Sequence, residues 1–169
     1  MNSENLWNSR TRISALLLAL MLLLLTGCSS TGPAEAGTSE ASGSTEETDR
    51  MFYAHVNGKV LKILAAENSS ADAFLDLLKS GDVPVEMHDY GSFEKVGPLG
   101  TTLPQNDEQI TTEPGDVILY QGNQITIYYD VNNWSFTRLG KVQDLSQAEL
   151  KDILGSGNVT VTFSLSEGR

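Results

Sequence analysis

Between residues 51 and 165 the apolar positions recur mostly at every second residue, the period of strands with one buried face. Met51–Val56 and Lys59–Leu64 flank Asn57-Gly58, a pair that tolerates the positive φ of a type I′ turn, which predicts a hairpin. Val83, Val85 and Met87 alternate with Glu86 and His88. Shorter β-prone runs follow at Phe93–Val96, Asp116–Tyr120, Ile125–Asp130 and Phe136–Val142, and Val159–Leu165 closes the series.

Twice the period lengthens to that of a helix. Around Ser70–Lys79, Ala71, Phe74, Leu75 and Leu78 share one face; Ser69 stands where a cap is needed, with Asp72 three residues on, and Gly81 can close the helix. Ser146-Gln147-Ala148-Glu149 forms a capping box for a second helix ending near Leu154. Two stretches predict loops: Pro98–Gly115, whose only apolar anchors are Leu99, Leu103 and Ile110, and Val131–Ser135, which carries Trp134. About eight short strands and two helices, one after the second strand and one before the last, predict a mainly β fold. A small closed or nearly closed barrel with the helices covering its ends is the economical way to hide the sheet edges.

The pattern changes completely before residue 51. Met1–Arg12 is polar and carries Arg10 and Arg12; Ile13–Leu25 is an apolar run of 13 residues, which as a helix would reach roughly 20 Å, short of a hydrocarbon core about 30 Å thick. This is the layout of a secretory signal rather than of a permanent span. Its end, Leu25-Thr26-Gly27-Cys28, resembles the lipobox of bacterial lipoproteins. The resemblance implies cleavage before Cys28 and lipidation of its thiol, and two or three acyl chains make such anchoring stable where one does not. From Ser29 to Arg50 the residues are almost all Ser, Thr, Gly, Ala and Glu, the composition of a flexible acidic tether. The expected organisation is a signal peptide over 1–27, a lipidated cysteine and tether over 28–50, and one folded domain over 51–169. That places the domain at the cell envelope, outside the cytoplasm.

Charge and residue inventory exclude several classes of function. The formal charge is −11, and removing residues 1–27 leaves 9 basic against 21 acidic residues, or −12. Such a chain lacks the basic patches that nucleic acid requires. Cys28 is the only cysteine, so no disulfide forms within the domain, and lipidation removes it from catalysis. With two histidines, His55 and His88, a zinc site is not expected, and no cofactor is implied. His88 and Asp89 are adjacent on a strand and point to opposite faces, which argues against a paired base. Neither a nucleophile elbow nor a phosphate-binding loop is present.

Four segments together carry a family resemblance. Met87–Val96, with its His-Asp-Tyr-Gly-Ser-Phe-Glu-Lys-Val, Pro114-Gly-Asp-Val-Ile-Leu-Tyr, Ile125-Thr-Ile-Tyr-Tyr and Thr137-Arg-Leu-Gly-Lys-Val resemble the bacterial cyclophilin-like domain family over Phe52–Leu165. The resemblance implies an eight-stranded barrel capped by two helices, in agreement with the element count. The turn Gln121–Gln124 lacks the Pro-Trp-Gly that the family would place there, and the stretch after Gly97 also departs from it.

The resemblance also raises prolyl isomerisation. The barrier of about 18–20 kcal/mol comes from amide resonance, and an arginine near the prolyl nitrogen beside an apolar pocket would lower it. The motifs that carry that arginine in true cyclophilins are absent, so no catalytic residue transfers by position. Arg138, Trp134 and Phe93 are the substitutes on offer; their plainer roles are an ion pair, a cap on a barrel end and a core ring. The leading expectation is a non-catalytic module that binds a peptide, protein or small molecule. Phe93, Tyr129, Trp134, Phe136 and Arg138 are the candidate ligand-binding residues, and a prolyl isomerase and a structural or partner-docking protein are the alternatives.

Overall fold

The computed structural model describes residues 50–168. The signal, the lipobox with Cys28, and the tether as far as residue 49 lie outside the described residues. Among the described residues no helix is long and apolar enough to cross a membrane.

Nine strands and two helices follow one another as β1 (Met51–Val56), β2 (Lys59–Ala65), α1 (Ser69–Lys79), β3 (Val83–Tyr90), β4 (Glu94–Pro98), β5 (Glu108–Thr111), β6 (Asp116–Tyr120), β7 (Gln124–Tyr128), β8 (Asn133–Val142), α2 (Gln147–Leu154) and β9 (Val159–Ser164). All pairings are antiparallel, in the order β2-β1-β9-β3-β4-β7-β6-β8. Ile63–Ala65 of β2 then pairs with Gly140–Val142 of β8 and closes an eight-stranded barrel. Closure leaves none of these eight strands with a bare edge. The described residues therefore form a mainly β barrel with two helices, as the alternation implied.

Local chemistry explains the turns and caps. Asn57 and Gly58 both have positive φ, 50° and 72°, the requirement of the type I′ turn, and Val56 faces Lys59 across it. Helix α2 begins in the expected capping box: Ser146 Oγ accepts from Glu149 N at 3.3 Å, and the Glu149 carboxylate accepts from Ser146 N at 2.9 Å. Helix α1 starts one residue earlier than expected because Asn68, not Ser69, is its cap, accepting from Ala71 N at 2.9 Å. Ser69 and Ser70 instead turn their hydroxyls to Asn106 Oδ1, at 2.8 and 2.7 Å. Arg50, the last residue of the expected tether, is bonded to the domain. Arg50 bonds Asp72 of α1 at 2.9 Å and the Ala66 carbonyl, and its own carbonyl accepts from Ala65 N at 2.9 Å.

The inward residues of the strands form one apolar core, with Phe52, Ala54, Leu61, Ile63, Val85, Met87, Leu119, Ile127, Leu139 and Phe163 all essentially inaccessible to solvent. Both helices lay their apolar faces on it, α1 through Phe74, Leu75 and Leu78 and α2 through Leu150 and Leu154. They sit at opposite ends of the barrel. Arg50, just before β1, bonds α1, while Asn57, just after β1, donates to the Ile153 carbonyl of α2 at 2.8 Å.

The loop expected over Pro98–Gly115 contains a strand. Glu108–Thr111 pairs with Asn133–Phe136, so β8 starts inside the expected Val131–Ser135 loop and Trp134 is a strand residue opposite Ile110. The rest of the stretch is tied down at Leu99 and Leu103, whose N–H groups donate to Asn123 and Gly122 carbonyls, each at 2.8 Å. Strand β5 belongs to no barrel pairing; with the first half of β8 it forms a ribbon standing off the barrel's outer face.

The seam where β8 passes from β6 to β2 depends on Gly140. A Cβ there would stand 2.7 Å from the Leu64 carbonyl oxygen and 2.9 Å from Ile63 Cγ2. Gly140→Ala is expected to cost about 1–3 kcal/mol by overpacking, read as a lower urea midpoint at unchanged slope.

Candidate functional site

Alternation along the strands sends one set of side chains into the barrel and the other outward. On most of the surface the outward set is polar. Over β4, β6, β7 and the start of β8 it is aromatic, and Ile118, Tyr128 and Phe136 are buried there in a second apolar cluster separate from the core, with Phe93, Ile110 and Tyr120 packed against it.

The rings form a connected series. Tyr90 meets Phe93 edge-on at 6.1 Å, Phe93 stacks parallel to Tyr128 at 6.0 Å, Tyr128 meets Phe136 at 5.6 Å, and Phe136 meets Tyr120 edge-on at 6.1 Å. Together with the β5–β8 ribbon they shape a cleft of ≈ 410 Å³, within the size range of small-molecule sites. His88 and Tyr90 of β3, Glu94 and Val96 of β4, Tyr120 at the end of β6 with Gln121 just after it, and Gln124 and Tyr128 of β7 line it from the barrel side. Asn132, Trp134 and Phe136, at every second residue, line it from the other. Trp134 and Tyr90 are 60% and 61% exposed, large apolar rings left open to solvent.

One charged group stands among these rings. Glu94 is only 7% exposed, and its Oε2 has no hydrogen-bond partner. Burial pushes its carboxyl above the ordinary glutamate value, and the neighbouring Tyr128 hydroxyl offsets this only in part. Burial and the Glu94 carboxylate push the Tyr128 phenol up in turn. Because the folded state holds the Glu94 proton more tightly than the unfolded state, this charge lowers stability at neutral pH. The loss is relieved as pH falls through the raised folded value, and ends below the free value of about 4.3. Glu94→Gln is therefore expected to stabilise the domain at pH 7 by about 1 kcal/mol, a few degrees in Tm. The difference should vanish near pH 4, as followed by thermal unfolding across that range.

The five ring and guanidinium candidates separate into four places. Trp134 and Phe136 share the cleft. Phe93 does not line it but supports it from behind, stacked on Tyr128. Arg138 faces a smaller hollow of ≈ 230 Å³ with Asn68, Asn106 and Glu108, and Phe136 is the partition between the two. Its guanidinium is engaged with the buried Asp116 carboxylate at 3.2 Å. Tyr129 points the other way, into the end of the barrel beneath α2, where its hydroxyl donates to Asp89 at 3.0 Å. His88 and Asp89 point to opposite faces, as their adjacency required: His88 lines the cleft, and Asp89 joins Tyr129, Lys95 and Gly157.

Sequence reasoning missed Tyr90, Glu94, Tyr120 and Tyr128. The signal that could have found Tyr128 is parity. Ile125 and Ile127 are inward, so Tyr128 must be outward and Tyr129 inward. Among the described residues no group of three or more His, Cys, Asp or Glu side chains is placed to hold a metal ion.

A family model described as the cyclophilin-like family matches residues 54–164, most of the chain and essentially all of the barrel. The chain belongs to the cyclophilin-like family. The match runs from the second inward residue of β1 to the last residue of β9, so the cleft-forming ribbon and the barrel both lie within the cyclophilin-like domain. No curated protein matches the chain. Among solved structures it is similar to McbB, determined in complex with tryptophan, with a TM-score of 0.49 and 13% identity over 70% of this chain. The match covers 45% of McbB, so the chain spans less than half of that protein's length.

Proposed function

We propose that this protein is an envelope-anchored lipoprotein whose cyclophilin-like domain binds a peptide or small ligand in the outer-face cleft without transforming it. The observation that carries the reading is the cleft itself: a walled volume of ≈ 410 Å³ lined by aromatic side chains around a buried carboxylate whose Oε2 has no hydrogen-bond partner. A group retained at a cost to the fold is characteristic of a working site rather than of a packing surface.

Binding is better supported than prolyl isomerisation. A cation aimed at the prolyl nitrogen is what the reaction needs, and the cleft lining contains neither lysine nor arginine. Arg138, the cation considered for that task, lines a different hollow and is engaged with Asp116. The membrane attachment rests on Leu25-Thr26-Gly27-Cys28 following the apolar run.

A thermal-shift screen of peptides and metabolites, run beside a prolyl-peptide isomerisation assay on the same purified protein, tests the reading. Ligands that raise the melting temperature, lose that effect in Phe136→Leu and undergo no turnover are the expected result. Catalysed isomerisation that the same substitution reduces would replace binding by catalysis. The anchor is tested separately: Cys28→Ser should abolish palmitate labelling and move the protein from the membrane to the soluble fraction.

A further inference from the structure

We propose, on the reading that the cleft is a binding site, that the group it recognises is a protonated amine on a short aliphatic stem. The argument begins with what the cleft lacks. Its lining contains one carboxylate, Glu94, and no lysine or arginine to neutralise it. Lys95, next in sequence, points to the opposite face and is bound to Asp89 at 2.6 Å. The Glu94 Oε2 is buried without a hydrogen-bond partner, and the Tyr128 hydroxyl is the one donor that acts on this carboxyl; an unfilled acceptor costs free energy until a donor reaches it.

The surrounding rings select among donors. The faces of Tyr90, Tyr120, Tyr128, Phe136 and Trp134 carry the negative end of an aromatic quadrupole, which attracts an organic cation most strongly where water is excluded. A carboxylate beneath a set of aromatic walls matches an ammonium head and an alkyl stem together: the head bonds Glu94 and the stem covers the rings. The side-chain amides of Gln121, Gln124 and Asn132 complete the lining and can bond a flanking peptide group.

Other ligand classes fit less well. An anion would meet Glu94 with no lysine or arginine to compensate. A hard metal ion requires several oxygen ligands, and a single carboxylate does not supply them. A neutral apolar group, a prolyl ring included, would cover Glu94 and leave its charge both buried and unpaired, which raises the cost already present in the free protein. The acidity of the whole chain, −11, adds a long-range attraction for cations.

Trp134 makes the test direct, because Trp7 is the only other tryptophan in the chain. In the detergent-solubilised protein, from which the proposed cleavage before Cys28 removes Trp7, or which carries Trp7→Phe where cleavage does not occur, indole emission reports the cleft. Four probes are titrated: n-butylamine, an acetylated and amidated Gly-Lys-Gly peptide, and the same peptide with norleucine or Nε-acetyl-lysine in place of lysine. A saturable response to the lysine peptide, at least ten-fold tighter than to either uncharged analogue and reduced at least ten-fold by Glu94→Gln, is the expected result. Butylamine binding as tightly as the peptide identifies a free amine as sufficient, whereas a response to the peptide alone identifies a lysine side chain. Equal affinity for lysine and norleucine peptides, or lysine binding undiminished in Glu94→Gln, overturns the ammonium assignment and leaves the binding reading intact. Absence of any saturable response overturns the assignment as well, while the wider thermal-shift screen decides the binding reading independently. Unchanged norleucine affinity in Glu94→Gln shows that the variant keeps the cleft's shape.

Discussion

Replacing Lys95 by alanine is expected to destabilise the domain by about 3–5 kcal/mol, the loss that follows when one partner of a buried pair is removed. The Lys95 side chain is wholly inaccessible to solvent, and its ammonium is held by Asp89 Oδ1 at 2.6 Å and by the Gly157 carbonyl at 2.7 Å. Asp89 is itself gripped by Gly157 N–H at 2.6 Å and the Tyr129 hydroxyl at 3.0 Å. One ion pair thus links β3, β4, the residue after β7 and the α2–β9 connection. The substitution removes the charge, the stem and both bonds together, and the neighbours cannot close the space without moving strands. Because the Asp89 side chain is 35% exposed and can recover water, the lower end of that range is the closer expectation. Chemical unfolding of Lys95→Ala, Asp89→Asn and the double variant Lys95→Met with Asp89→Asn separates the contributions. The double variant keeps the stem's volume and leaves no lone charge, so it should lose less than Lys95→Ala alone.

The same pair contributes to the loss of stability in acid. Desolvation pushes the Asp89 carboxyl up, but hydrogen bonds from Lys95, Gly157 N–H and Tyr129 outweigh it and hold the group below the ordinary aspartate value. The stability this provides is fully present above the free value of about 3.9 and is lost as pH falls through the lower, folded value. Glu94 acts in the opposite direction at higher pH. Acidification from neutrality should therefore first raise stability slightly and then reduce it once Asp89 is protonated.

Strand periodicity and turn chemistry made most of the barrel legible. Asn57-Gly58 and the Ser146–Glu149 box each have a local mechanism that needs no partner elsewhere, and both are observed as read. Strand β5 was not legible, because Glu108–Thr111 holds one apolar residue, Ile110, and owes its conformation to Asn133–Phe136 twenty-five residues on. Losing β5 also turned Trp134 into a loop residue. The candidate site was legible only from one side. Trp134 and Phe136 stood out as aromatics among polar neighbours, but Tyr129 was preferred to Tyr128 in a Tyr-Tyr pair where the inward Ile125 and Ile127 decide the parity. Glu94 had no signal at all in a chain of 22 acidic residues, since its distinction is burial on the outer face, which depends on rings from β6, β7 and β8.

The second large effect expected is at the other end of the barrel. Phe74→Ala should cost about 3–5 kcal/mol, the usual range for truncating a buried phenylalanine. Phe74 is inaccessible to solvent and meets Phe52 of β1 and Phe163 of β9 edge-on, at 5.2 and 5.7 Å. It is the residue through which α1 fills its end of the barrel, and alanine would leave a cavity bounded by strands that closure holds apart. Leu77→Ala, one turn on and only partly buried, is the control and should cost far less. The substitution also separates the two apolar clusters by function. Phe74 belongs to the inner core, whereas Tyr128 and Phe136 belong to the outer cluster beneath the cleft, with the sheet between them. A Phe74→Ala protein held below its lowered melting temperature should therefore keep the emission spectrum and ligand response of Trp134. A spectral change as large as the stability loss would mean that the cleft is shaped by the core and not by the rings that line it.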